Sequence, residues 1–258
     1  MQVIVAKMIS LVEKRFKIFA EFAAQRKTTR QSQHYWLEID NRQRRTFKNF
    51  VTMAPAIHKS FCGGIFETNC YLFEAPEGWI LFDAPEGACE WVRSLNIHPK
   101  LLLLTHGHVD HVQDVAKIKQ QFHCQIGCHP LTAPMISDRD FFRNFGFALE
   151  VEPVVPDFLI EETPNRNFLG ADFQVLEVPG HCPGSLCFFS HKDRLLIGGD
   201  VLFAGSIGRG DLPGGDIDLL IDGIRKKLFP LGDDVTVLSG HGPPTTIGHQ
   251  RLTNPFLQ

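Results

Sequence analysis

Four consecutive leucines, Leu101 to Leu104, run directly into Thr105-His106-Gly107-His108-Val109-Asp110-His111, and that junction constrains the chain more than any other feature. An apolar run with no polar alternation fits a strand covered on both faces. The motif after it concentrates three imidazoles and a carboxylate in six positions, a density that no packing role calls for. In an extended segment the two-residue period points His106 and His108 the same way, while Asp110 and His111, entering the next helix, face a neighbouring point. One motif thereby offers ligands to two metal ions. Neutral imidazole and carboxylate suit borderline divalent ions such as zinc, iron or manganese, and with no cysteine in the motif a purely structural zinc site is disfavoured.

Other apolar runs end the same way, in a small or turn residue and then a ligand type. They lead to His181 in Val178-Pro179-Gly180-His181, to Asp200 in Ile197-Gly198-Gly199-Asp200, and to His241 in Leu238-Ser239-Gly240-His241. Glycine beside each allows sharp turns and close backbone approach, so that these residues can converge at one edge of a sheet. Tyr71 to Glu74 and Trp79 to Asp83 flank an Ala-Pro-Glu-Gly turn and predict an antiparallel hairpin, and a helix is expected over Val112 to Phe122. Further strands are expected at Phe173 to Val178, Leu186 to Phe189, Leu195 to Ile197 and Val235 to Leu238.

A length of 258 residues leaves room for one full-sized domain plus an extension, and charge locates the boundary. Residues 1–52 carry eleven Lys/Arg against four Asp/Glu, net +7, while 53–258 carry 15 against 25, net -10. The chain is therefore read as a basic N-terminal extension, 1–52, and a mildly acidic body, 53–258, with Met53 an alternative start. Within 1–24, Ile4, Val5, Met8, Leu11, Val12, Phe16, Phe19 and Phe22 share one half of a helical wheel opposite Lys7, Lys14 and Lys17. Such a basic amphipathic helix can pack on the body or a second subunit, lie on an anionic membrane surface, or act as an organelle-targeting presequence. Nowhere do about twenty uncharged apolar residues follow one another, so no transmembrane segment is expected. Three arginines and a lysine between Asn41 and Lys48 read as a solvated face, and with a net charge of -3 overall no nucleic-acid partner is expected. Seven scattered cysteines with no C-x-x-C pair argue for a reducing, cytoplasmic setting. Cys124, Cys128 and Cys182 are expected to be small buried apolar residues, and the seven histidines outside the motifs (His34, His58, His98, His123, His129, His191, His249) surface or capping residues.

The T-H-x-H-x-D-H motif at 105–111, followed in order by His181, Asp200 and His241, closely resembles the metallo-beta-lactamase superfamily of metallohydrolases, over about residues 56–258. The resemblance implies an α/β (α+β) fold, the four-layer αββα sandwich, with the metals at one rim. It implies two divalent cations, zinc first with iron or manganese as alternatives: one on His106, His108 and His181, the other on Asp110, His111 and His241, with Asp200 bridging. Asp83 resembles the aspartate that orients a ligand histidine from behind.

Within the superfamily the chain most resembles the glyoxalase II group, the hydroxyacylglutathione hydrolases, through Pro179–Gly184, Gly199–Phe203 with Gly208–Leu212, and Gly240–Gly248. Arg209 resembles a basic residue that helps hold the glutathione moiety. Only 17 of the 258 residues follow His241, so the chain resembles the short single-domain bacterial type rather than enzymes with a helical C-terminal domain. The implied activity is hydrolysis of a small-molecule thioester such as S-lactoylglutathione by a metal-bridging hydroxide, with Asp110 and Asp200 as catalytic residues. The alternative of the same fold is a mononuclear-iron persulfide dioxygenase using His106, His181 and Asp200.

Overall fold

The computed structural model describes residues 58–144 and 151–258. The amphipathic segment 1–24, the basic cluster at 41–48 and the boundary near Met53 lie outside the described residues. The described elements run, in chain order, β1 (His58–Gly63), β2 (Thr68–Ala75), β3 (Gly78–Phe82), α1 (Ala88–Ser94), β4 (Pro99–Leu103), α2 (Val109–Val112), α3 (Val115–Phe122), β5 (Gln125–Cys128), α4 (Ala133–Ser137) and α5 (Phe141–Asn144). After these come β6 (Phe158–Leu159), β7 (Thr163–Phe168), β8 (Ala171–Glu177), β9 (Leu186–Ser190), β10 (Leu195–Gly199), β11 (Leu202–Phe203), β12 (Ser206–Ile207), α6 (Ile217–Gly223), β13 (Thr236–Ser239), β14 (Thr245–Thr246) and α7 (Ile247–Thr253).

Two six-stranded mixed sheets result, ordered β1-β2-β3-β4-β5-β6 and β14-β13-β10-β9-β8-β7, with β11 and β12 as a small separate hairpin. The period-two alternation of side chains sorts the apolar residues of each strand into layers. Leu101 and Leu103 of β4 face the second sheet among Ile80, Phe82, Phe173, Phe188 and Ile197. Leu102 and Leu104 face the other way, onto Val92 of α1, Val109 and Val112 of α2, and Val115 and Ile118 of α3. Both faces of the leucine strand are thus covered, which is why it carries no polar alternation. The second sheet repeats the pattern: Phe189, Leu196 and Val237 point away from the sheet interface onto Leu220 of α6, Ile224 and Leu228 of the π-helical turn Ile224–Leu228, and Ile247 of α7. Three apolar layers between four layers of structure make the αββα sandwich, and burying each of these large side chains contributes about 1.5–3 kcal/mol.

The hairpin expected around Ala75-Pro76-Glu77-Gly78 forms, with Tyr71 opposite Phe82 and Ala75 opposite Gly78. The helix expected over Val112 to Phe122 is interrupted at Gln113–Asp114, giving α2 and α3. Asp114 is turned inward there: its Oδ2 accepts the backbone N–H groups of Gly87 (2.9 Å) and Cys89 (3.1 Å), satisfying the start of α1 instead of continuing a helix.

Strand direction places the motif residues together. In the second sheet β8 is antiparallel to β9, β9 antiparallel to β10, and β10 parallel to β13, so β8, β10 and β13 all end at one edge. The end of β4 meets that edge where the Leu186 N–H donates to the Thr105 carbonyl at 2.7 Å. Among the described residues, no helix is long and apolar enough to cross a membrane.

Candidate metal centre

Each motif side chain enters the rim from the end of a strand or the start of a short helix. His106 and His108 follow β4, Asp110 and His111 lie on α2, His181 follows β8, Asp200 follows β10 and His241 follows β13. Their donor atoms form three overlapping groups, each with its atoms within 4.8 Å of one another: His106, His108 and His181; His106, His111 and Asp200; Asp110, His111 and His241. Asp200 Oδ1 lies 3.2 Å from His111 Nε2, and its Oδ2 lies 3.4 Å from His181 Nε2 and 3.3 Å from His241 Nε2. Asp110 Oδ2 lies 3.3 Å from His241 Nε2 and 3.6 Å from His111 Nε2. The structure therefore brings all seven predicted residues to one place.

Behind them, the partners of the Nδ1 atoms fix which ring nitrogen faces inward. His106 Nδ1 lies 3.1 Å from Thr105 Oγ1, which itself donates to Asp83 Oδ2 at 2.7 Å. Asp83 Oδ2 is also 2.8 Å from His111 Nδ1, and Asp83 Oδ1 accepts the Thr105 N–H. Asp83 adopts φ 60, the left-handed region that short polar side chains tolerate, and this turn at the end of β3 aims its carboxylate at all three donors. His181 Nδ1 donates to the Arg209 carbonyl at 2.8 Å and His241 Nδ1 to the Phe66 carbonyl at 3.1 Å. In each case Nε2 is turned to the interior, free with its lone pair in His106 and His181 and set against carboxylates in His111 and His241, the usual orientation behind metal-binding imidazole.

Glycine is required where the backbone passes closest. A side chain on Gly240 would overlap Asp200 Oδ1 and come within 2.7 Å of His111 Cε1, and one on Gly199, at φ +49, would reach Thr105 Oγ1 at 2.5 Å.

The electrostatics divide the cluster in two. Burial, reinforced by neighbouring imidazoles, holds His106 well below the ordinary histidine range, brings His108 down to about 3 and lowers His181, so all three stay neutral with open lone pairs. Burial alone would also depress His111, but Asp200, Asp110 and Asp83 outweigh it and hold His111 well above the ordinary range. His241, despite burial, is raised to about 10 by its contacts with Asp110 and Asp200. Burial would raise both carboxylates, yet the imidazoles around them win: Asp110 is lowered by His111 and His241, and Asp200 by His111 above all.

The residues fit divalent cations. His106 Nε2, His111 Nε2, His181 Nε2 and Asp200 Oδ1 are buried without any hydrogen-bond partner. Buried polar atoms left unpaired cost about 1–3 kcal/mol each, and four of them spread over two overlapping donor groups form a site built for something that accepts lone pairs.

Arg209, the expected substrate-binding residue, meets the cluster through its main chain. Its guanidinium is engaged by Asp211 through two 2.7 Å contacts, while its main-chain carbonyl orients His181. His129, expected to be a surface or capping residue, is buried: its Nδ1 accepts the Leu131 N–H at 3.1 Å, and its ring fills the space a side chain on Gly184 would need. Cys124 and Cys182, pushed up to about 11 by burial, and Cys128, to about 12, are buried thiols as expected. All seven cysteines are free thiols. The sequence alone assigns no site role to Thr68, Asn69 or Tyr71, whose partners lie far away in the chain. Thr68 Oγ1 donates to Asp110 Oδ2 at 2.7 Å.

A buried histidine–aspartate cluster at the rim of an αββα sandwich defines a metallohydrolase-type centre. The family model described as the metallo-beta-lactamase superfamily matches residues 63–241, and the chain belongs to that superfamily. Membership implies a dinuclear metal site with a histidine cluster. Hydroxyacylglutathione hydrolase GloC of Haemophilus influenzae is 36% identical over 206 residues, covering 74% of this chain and 93% of that protein. The crystal structure of BLEG-1, a B3 metallo-beta-lactamase, matches with a TM-score of 0.71 at 33% identity, covering 78% of this chain and 99% of that one. TTHA1623 in a di-iron-bound form matches with a TM-score of 0.68 at 36% identity, covering 77% of this chain and all of that one, 100%.

Proposed function

We propose that this chain is a dinuclear-metal hydrolase that cleaves a thioester such as S-lactoylglutathione, with Asp200 shared between two divalent ions, zinc first and iron or manganese as alternatives. The observation that carries this reading is the position of Asp200, one oxygen on His111 and the other on His181 and His241. When bound, a pair of such ions supplies a water of lowered pKa as nucleophile and polarises the substrate carbonyl. His106, His108 and His181 would hold one ion, and Asp110, His111 and His241 the other.

The chain's own residues then set the reaction's course. Asp110, held ionised well below the usual carboxylate range, positions the attacking water instead of storing its proton. A thiolate leaves without a strong general acid, and the permanently charged Arg209 serves a substrate carboxylate better than proton transfer. Because Asp211 already occupies the guanidinium, a substrate carboxylate has to share or displace it. The 36% identity to hydroxyacylglutathione hydrolase GloC supports the choice of thioester.

Elemental analysis of the purified chain, together with thiol release from S-lactoylglutathione with and without oxygen, tests the reading. Two ions per chain and oxygen-independent release are expected. One iron per chain with oxygen consumption on glutathione persulfide would establish the dioxygenase instead. The complete second group of Asp110, His111 and His241 favours the hydrolase.

A further inference from the structure

Two of the three residues of the second donor group, Asp110 and His241, are held by one piece of chain, the end of the β1–β2 connection and the start of β2, while His111 is held by Asp83. The Phe66 carbonyl accepts from His241 Nδ1 at 3.1 Å, and Thr68 Oγ1 donates at 2.7 Å to Asp110 Oδ2, the oxygen that faces His241 Nε2 at 3.3 Å. Thr68 also pairs with His241 through an isolated main-chain bridge. Asn69 binds the turn before and after His241 three times: its N–H donates to the Gly240 carbonyl at 2.7 Å, and its Nδ2 to the carbonyls of Ser239 at 3.0 Å and Gly242 at 2.8 Å. Tyr71 Oη adds a 2.6 Å bond to the Ser239 carbonyl. The first group takes its support elsewhere, His106 from Thr105 Oγ1 and His181 from the Arg209 carbonyl.

We propose that Thr68 and Asn69 are positioning residues for the second cation subsite, so that its occupancy is set separately from that of the first. The inference rests on the dinuclear reading above. Thr68 is fully buried and valine nearly matches its shape while lacking the hydroxyl, so the bond to Asp110 is what a valine removes. With that donor gone, the Asp110 carboxylate loses the contact that turns Oδ2 toward His241, while the supports of His106 and His181 are untouched. Partners one step behind a metal ligand typically change metal affinity 10–100-fold.

The full-length chain, stripped with a chelator, is titrated with cobalt(II), following the visible ligand-field absorption and counting the metal retained after gel filtration. The unsubstituted chain is expected to take two ions. Thr68→Val should take the first unchanged and bind the second about 10–100-fold more weakly, and Thr68→Ser, which keeps the hydroxyl, should restore it. Asn69→Ala gives the same readout should Thr68→Val fail to fold. Both steps unchanged in these variants, or both weakened together, would overturn the inference and leave the dinuclear reading standing. A single ion on the unsubstituted chain would overturn both.

Discussion

Asp83 Oδ2 lies 2.8 Å from His111 Nδ1, and this contact decides which face of the imidazole is offered to the cluster. With Nδ1–H committed to Asp83, His111 presents Nε2 to Asp200 and Asp110. The same carboxylate collects the N–H and hydroxyl of Thr105, so three donors converge on two oxygens. An aspartate far back in the chain thereby sets both the leucine-strand turn and a candidate ligand.

Replacing Asp83 by asparagine would be a severe change despite its small size. An amide has one accepting oxygen and a donating NH2, so at least one of the three donors would face another donor. We expect Asp83→Asn to lower metal affinity and activity about 10–100-fold and to destabilise the metal-free chain by about 1–3 kcal/mol. Metal content after dialysis and urea unfolding of the stripped protein measure the two effects. Wild-type metal retention would show that His111 is oriented by something else.

At Gly240 the expected effect comes from space. A methyl group there would collide with Asp200 Oδ1 and approach His111 Cε1 to 2.7 Å, and the turn cannot retreat because the Gly240 N–H donates to the Gly199 carbonyl at 2.8 Å. Gly240→Ala should therefore displace Asp200 from between the two donor groups, with a loss of the proposed thioester turnover on the order of 100-fold, as misplacement by about 1 Å does in preorganised sites. Activity near wild type would mean that the carboxylate position tolerates more slack than the geometry implies.

Arg209 separates side chain from main chain. Truncation to alanine removes the guanidinium but keeps the carbonyl that orients His181. If the guanidinium holds a substrate carboxylate, Arg209→Ala should raise KM for S-lactoylglutathione about tenfold, the worth of one charged hydrogen bond, with kcat nearly unchanged. Steady-state kinetics of the variant decide it: a fall in kcat at constant KM would remove the side chain from substrate binding.

The candidate ligands were legible because they cluster in one short motif or follow apolar runs within a few residues, and the four leucines announced a doubly covered strand, which Pro99–Leu103 forms with Leu104 just beyond it. Short or polar strands were not. In β5 the four residues Gln125–Cys128 follow a helix with no alternation to mark them, and β7, Thr163–Phe168, is an edge strand with mostly polar side chains. The break between α2 and α3 escaped because it depends on Asp114 reaching Gly87 and Cys89, which are more than twenty residues away. Thr68 and Asn69 escaped for a similar reason: their partners are 42 and about 170 residues distant, and nothing local distinguishes a buried threonine that packs from one that donates to a carboxylate.

Asp157 links stability to pH away from the metal cluster. Its Oδ2 accepts the Ile126 N–H at 2.7 Å and Lys119 Nζ at 2.8 Å, tying the segment before β6 to β5 and α3. Partial burial would raise its pKa, but the Lys119 and Ile126 bonds outweigh that, and the folded value lies below the ordinary carboxylate value. A group depressed in this direction stabilises the fold above its unfolded pKa, about 4, and the contribution is lost as pH falls through the lower, folded pKa. Because the carboxylate is partly exposed, solvent screening keeps its worth to about 1 kcal/mol or less. Asp157→Asn should accordingly unfold at lower urea than the parent at pH 7, with the gap narrowing only below about pH 4 as the parent's carboxylate takes up its proton. Urea midpoints of both proteins at pH 7, 4 and 2.5 measure this, and a gap that stays constant across the series would mean that the charge of Asp157 contributes nothing to holding β5.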